Sequence, residues 1–242
     1  MITSIVKASC CIALIVVIGV ACLHAFQTHA QQRVVSARPG NAPAIPGDQK
    51  YYVVLLAHQD AENTIPMSHA FAVFMRTRGE GASRKIMETA TINWLPKSGH
   101  ISITRAAEPG VNKPLAETLQ WAKQRNLEVS MCGPFEIDAD FYKHAVAHVA
   151  RLERGEFEYR CYVKQRNTTK NCIYAVADIF DDRPRLDTGS SRGADSMLMV
   201  MEYYKPRFKS QELATNDFAP LLADLKLSGL RHAAMETAMA GE

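Results

Sequence analysis

The sequence predicts an α+β fold, an antiparallel sheet with helices packed on one face. Three observations carry this. Short apolar runs rich in β-branched and aromatic residues crowd the region from Tyr51 to Arg105. Helical periodicity dominates after Pro114. Strands followed by helices, rather than strict strand–helix alternation, point away from a parallel βαβ sheet.

"YYVVLLAH" (Tyr51 to His58) and "SHAFAVFMR" (Ser68 to Arg76) read as strands, with "TRGEG" as the turn after the second. "RKIMETATINWL" (Arg84 to Leu95) alternates as a third strand. Ile86, Glu88, Ala90, Ile92 and Trp94 share one face; Met87, Thr89, Thr91 and Asn93 share the other. "ISITR" (Ile101 to Arg105) reads as a fourth. Pro114 opens a helix whose Leu115, Leu119 and Ala122 recur at helical spacing. "LEVSMCGPFEI" is strand-like up to Gly133. Asp138 caps a helix with Phe141, Ala145, Val149 and Leu152 as its apolar stripe and Gly155 as its stop. "EFEYRCYV" is a strand, Asn171 to Phe180 a helix, and "DSMLMVMEYY" a further helix. A helical tail follows from Ser210.

The chain has 242 residues, 22% of them charged and 47% hydrophobic, enough for one well-cored domain over residues 50–209. A net charge of +3 with scattered Lys and Arg excludes a nucleic-acid signature. The basic stretch "KPRFK" (Lys205 to Lys209) reads as a solvated helix end. Residues 31–49 hold three Pro and two Gly without periodic apolar residues, as a linker does. Before it, one Lys precedes an apolar run from about Cys10 to Phe26 that ends in small residues at "THA". The expectation is a signal peptide cut after Ala30, with an uncleaved anchor as the alternative. A lipoprotein signal at "GVAC" is disfavoured by Gly19. Each reading puts the domain outside the cytoplasm, secreted, periplasmic or anchored, with membrane contact only through this segment.

Beyond that segment the cysteines are Cys132, Cys161 and Cys172, an odd number. Cys132 and Cys161 could pair, or remain buried thiols. Cys172 begins an apolar stripe with Ala175, Val176 and Ile179, directly after Asn171, a good N-cap. The free N–H groups of a first helical turn favour thiolate, the attacking form. A cysteine on such a stripe is also a common small core residue. The base a thiol needs would be histidine. His144 and His148, one turn apart, read as an exposed or half-buried helix face. His69 opens a strand and shares its parity with Phe71, Val73 and Met75, at the rim of a side expected to lie under helices. In the loop "HQDAENTIPMSH", His58, Asp60, Glu62 and His69 are ligand types zinc accepts, at no recognised spacing. No glycine-rich phosphate loop or other cofactor motif is present, so no cofactor is expected.

"SHAFAVFM" followed, about a hundred residues on, by "NCIYAVADI" after an extended "FEYRCYV" resembles the circularly permuted papain-like proteins, the permuted relatives of NlpC-type peptidases and the lecithin:retinol acyltransferase-like proteins. The likeness covers roughly Tyr51 to Ile179 and rests on short motifs. It implies a thiol hydrolase or acyltransferase with Cys172 as nucleophile and His69 as base, acting on a peptide, cell-wall or lipid-ester substrate. It also implies a third polar residue near the end of the strand after His69. Asn93 fits that place but falls on the polar face; Glu88 and His58 are the alternatives. With none of them on His69, a catalytically inactive binding module of the same fold is the expectation. A metal protein built on the His58–His69 loop is the remaining reading.

Overall fold

A computed structural model of the chain describes residues 49–163, 167–180, 184, 186–187, 191–210 and 218–233. The apolar N-terminal segment, nearly all of the stretch 31–49, much of the loop after Phe180 and the ends of the tail lie outside the described residues. The described part is α+β, with antiparallel pairing dominant.

Four long strands build the main sheet: β1 (Gln49–Gln59), β2 (His69–Arg78), β3 (Lys85–Ile92) and β6 (Glu128–Ile137). The order is β3-β2-β1-β6-β9, with the two-residue β9 (Arg231–His232) parallel to β6 at the edge. A second sheet, β4-β5-β7-β8, joins β4 (Trp94–Pro96), β5 (Glu108–Asn112), β7 (Glu158–Tyr159) and β8 (Thr169–Lys170). The helices are α1 (Leu115–Gln124), α2 (Ala139–Glu153), α3 (Cys172–Ala177), α4 (Gly193–Tyr204) and α5 (Ala219–Asp224).

Both faces of the main sheet are covered, not one. Val53, Leu55, Ala57, Ala70, Ala72 and Phe74 pack on one side against α2, α3 and α4. Tyr52, Val54, Leu56, Phe71, Val73 and Met75 pack on the other with Phe218, Leu221 and Leu227, around α5, and with Leu115 and Leu119 of α1. The cause is visible in the strands themselves. "YYVVLLA" and "AFAVFM" are continuously apolar, so both parities need cover, as in sheets buried on two sides.

Four strand assignments change. Of "EFEYRCYV" only Glu158–Tyr159 pairs, as β7. The third strand ends at Ile92, because Asn93 leaves the ladder: its N–H donates to Asn112 Oδ1 (2.7 Å) and its carbonyl accepts from Lys113 N (3.0 Å). Trp94 then starts β4 in the other sheet. "ISITR" is not a strand; Ile101 is buried and Ile103 is 58% exposed, with no ladder partner. Its place is taken by β5, "EPGVN", which pairs with β4 and β7. β6 continues past Gly133 to Ile137, accommodated by a register shift opposite Val53 and Leu55.

Gly110 in β5 lies under the Trp94 ring, which occupies the space a Cβ would need. Gly110→Ala is therefore expected to destabilise the protein by about 2–3 kcal/mol through overpacking, read as a lower urea midpoint with an unchanged m-value.

Candidate active site

The capping expectations hold locally. Asp138 accepts from Phe141 N (2.6 Å) at the start of α2, and Asn171 Oδ1 accepts from Tyr174 N (2.8 Å) at the start of α3. The Asn171 Nδ2 group also donates to the Cys161 carbonyl (3.1 Å). These contacts fix where Cys172 leaves β8. At the other end of α3, Tyr204 Oη donates to the carbonyls of Val176 (2.9 Å) and Ala177 (2.7 Å), so α4 holds it in place. The start of α4 is tied to β1 by Ala194 N donating to Gln59 Oε1 (2.9 Å).

Cys172 and His69 line one cavity of about 310 Å³. Its wall is mostly apolar, with Ile101, Tyr159, Cys161 and Ser196 among the lining residues. Cys172 is 8% exposed and His69 1%.

Asn93 is the residue that meets His69. Its Oδ1 lies 2.6 Å from His69 Nε2. The orientation of the carboxamide is set by its other end, where Nδ2 donates to the Lys113 carbonyl (3.0 Å) and to Thr118 Oγ1 of α1. A carbonyl only accepts, so Nδ2 faces Lys113 and Oδ1 faces the ring. The imidazole must then carry its proton on Nε2, which leaves the lone pair on Nδ1. Nδ1 is buried without a hydrogen-bond partner. The parity objection to Asn93 disappears because the residue sits at the break between β3 and β4, outside the alternation.

The other two candidates are placed elsewhere. Glu88 is opposite Arg76 in the β2–β3 ladder and accepts from Arg76 Nε (3.1 Å). His58 stands beside His69, ring centroids 5.2 Å apart, but its Nδ1 donates to the Met67 carbonyl (3.0 Å). It thereby steadies the turn that delivers Ser68 and His69. Asp60 is held by Thr64 through both its backbone N–H (2.6 Å) and hydroxyl (2.5 Å), so the loop carboxylate is spent locally. Among the described residues no three His, Cys, Asp or Glu side chains converge as a ligand set.

The sulfur and the imidazole approach from different sides of β2. Cys172 belongs to the core of Ala70, Ala72 and Phe74, and its sulfur faces the backbone N–H groups of Ala70, Ile173 and Cys172 itself. The His69 ring stacks on Phe71 (5.6 Å, 15°), which lies in the opposite core. They share the cavity because His69 is the first residue of β2, where the strand ends and both sides open onto one rim. No hydrogen bond joins Cys172 Sγ to the ring.

The electrostatics correct the thiolate expectation. Burial pushes the Cys172 thiol up to about 11, against the smaller pull of the three N–H groups. Burial lowers His69 to about 3, and the neighbouring His58 adds to this. At neutral pH the resting pair is thiol and neutral imidazole.

No family model, curated protein or solved structure matches this chain.

His148, expected on an exposed or half-buried face, is 1% exposed, with its ring against Phe157. His144 is exposed, 3.6 Å from Asp140. No disulfide joins Cys132 to Cys161. Among the described residues no helix is long and apolar enough to cross a membrane. Sequence reasoning missed Thr118, Lys113 and Asn112, which position Asn93, and Tyr159 and Arg192 in the cavity wall. Nothing periodic marks these residues; only long-range packing assembles them.

Proposed function

We propose that the chain is a thiol hydrolase or acyltransferase of the permuted papain type, with Cys172 as nucleophile, His69 as base and Asn93 as the residue that orients the base. The observation that carries the reading is the fixed tautomer: Asn93 holds Nε2–H, and the unpartnered Nδ1 lone pair belongs to a residue lining the same cavity as the thiol.

In this reading Cys172 is protonated until substrate fills the cavity. His69 Nδ1 takes the thiol proton as sulfur attacks an amide or ester carbonyl, then delivers it to the leaving nitrogen or oxygen. The Cys172 backbone N–H supports the developing oxyanion. Water or an acyl acceptor then releases the thioester. Because thiol and imidazole start apart, the attack includes a side-chain rotation at the rim of β2. The apolar wall suits a substrate with an apolar acyl portion, whether from a peptide, a cell-wall crosslink or a lipid ester. The apolar N-terminal run, read as a signal peptide or anchor, supports a location outside the cytoplasm.

A catalytically inactive binding module of the same fold is the second reading. It is favoured by the neutral resting pair and by the missing sulfur–imidazole hydrogen bond. An activated aryl ester separates the two. Acid quenching of the wild-type reaction should trap an acyl group on the Cys172 peptide, seen by mass spectrometry. Binding without any acyl-thioester would remove the catalytic reading.

A further inference from the structure

We propose that Cys161 is the redox partner of Cys172: a peroxide-class oxidant joins the two cavity thiols in a reversible disulfide that withdraws the nucleophile. The consequence for turnover rests on the reading of Cys172 as nucleophile; the disulfide itself does not.

Cys161 and Cys172 line the same cavity. β7 and β8 run parallel with Tyr159 opposite Lys170, and Arg160 N donates to the Lys170 carbonyl (3.0 Å). Cys161 and Cys172 each follow the Tyr159–Lys170 pair by two residues, where both segments leave the ladder into the cavity wall. Asn171 Nδ2, one residue before Cys172, donates to the Cys161 carbonyl and holds the two segments together there. The ladder holds its strands about 4.8 Å apart where the two segments part, and a disulfide spans roughly 4.4–6.8 Å between α-carbons. Cys161 lies close enough for its thiolate to oppose ionisation of the Cys172 thiol. Cys132, by contrast, is buried in β6 and does not line the cavity.

Cys161 is half-buried where Cys172 is buried, so it meets an oxidant first; burial raises its thiol, and the nearby Arg192 guanidinium only partly opposes this. Its sulfur attacks the peroxide. The S–O bond forms, the O–O bond breaks, and water or an alcohol leaves. The Cys172 sulfur then attacks the Cys161 sulfenic acid. The S–S bond forms, the S–O bond breaks, and hydroxide departs as water with the Cys172 proton. Two thiols and one peroxide thus give one disulfide and two molecules of water when the oxidant is hydrogen peroxide. A dithiol restores both thiols.

The test uses the purified chain and hydrogen peroxide at pH 8, followed by denaturing alkylation and trypsin, which cuts at Lys164, Arg166 and Lys170 between the two cysteines. The expected product is a linked peptide pair containing Cys161 and Cys172, with Cys172 alkylation lost and then recovered on dithiothreitol treatment. In Cys161→Ser the linked pair is absent and Cys172 oxidises without dithiothreitol recovery; Cys161→Ala serves if the serine variant melts early. Cys172 remaining a free thiol while Cys161 oxidises alone, or Cys172 linking to Cys132 instead, overturns the proposal. A linked pair in a protein without turnover keeps this inference and removes the hydrolase reading. Turnover that survives peroxide with no linked pair does the reverse.

Discussion

Cys172→Ala is expected to abolish acyl transfer, lowering turnover by about 10⁴-fold or more, while the protein stays folded. Alanine is the best helix former, and the side chain removed is one sulfur at the edge of the core, so the stability cost is about 1 kcal/mol. His69→Ala is expected to lower turnover by roughly 10²–10⁴-fold, the usual contribution of a positioned base. It has a larger structural penalty, because Asn93 Oδ1 loses its partner in a site with no exposure. The control for that penalty is His69→Gln, which offers an amide N–H to Asn93 but no base. Turnover by Cys172→Ala within tenfold of wild type would remove the thiol from the chemistry.

The second large effect is acid lability centred on three histidines. Burial lowers His58 to about 4 and His69 and His148 each to about 3, whereas all three titrate near 6.5 in the unfolded chain. Each is neutral in the folded state and takes up a proton on unfolding once the pH drops below 6.5. Their contribution to stability is therefore complete above pH 6.5 and is lost as the pH falls from there toward the folded values of about 4 for His58 and about 3 for His69 and His148. Three extra protons bound by the unfolded chain give a slope approaching about 4 kcal/mol per pH unit. Protonating either His58 or His69 opposes protonating the other, which keeps the folded pair neutral to lower pH and deepens the loss. A domain of ordinary stability should then unfold near pH 5. Urea midpoints measured from pH 7.5 to 5 check this, and His148→Leu should flatten the slope by about a third. A midpoint independent of pH over that range would contradict the assigned burial.

The parts of this fold that were legible in the chain are those set by local periodicity and capping. β1, β2, α1 and α2 follow from apolar runs, Pro114 and the Asp138 cap. The Asn171 cap placed Cys172 at the first turn of α3. What stayed hidden depends on partners distant in sequence. "ISITR" alternates as a strand should, but nothing pairs with it. "EPGVN" carries a proline and a glycine that argue against a strand, yet pairs because Gly110 makes room for Trp94. The role of Asn93 was obscured by applying strand parity through a residue at which the strand breaks. The thiolate expectation for Cys172 fails because the N–H groups of a short helix are outweighed by burial. Covering of both sheet faces, in contrast, was written in the unbroken apolar runs of β1 and β2.

The rate of Cys172 alkylation by iodoacetamide as a function of pH, in wild type and in His69→Ala, tests the link between thiol and imidazole most directly. If His69 Nδ1 accepts the thiol proton, the wild-type rate is level from about pH 6 to 8, where the protein is folded and the ring neutral, and rises only as the thiol itself ionises near 11. The His69→Ala rate should then climb tenfold per pH unit with no level region. Superimposable profiles for the two proteins would show that the imidazole never serves the sulfur.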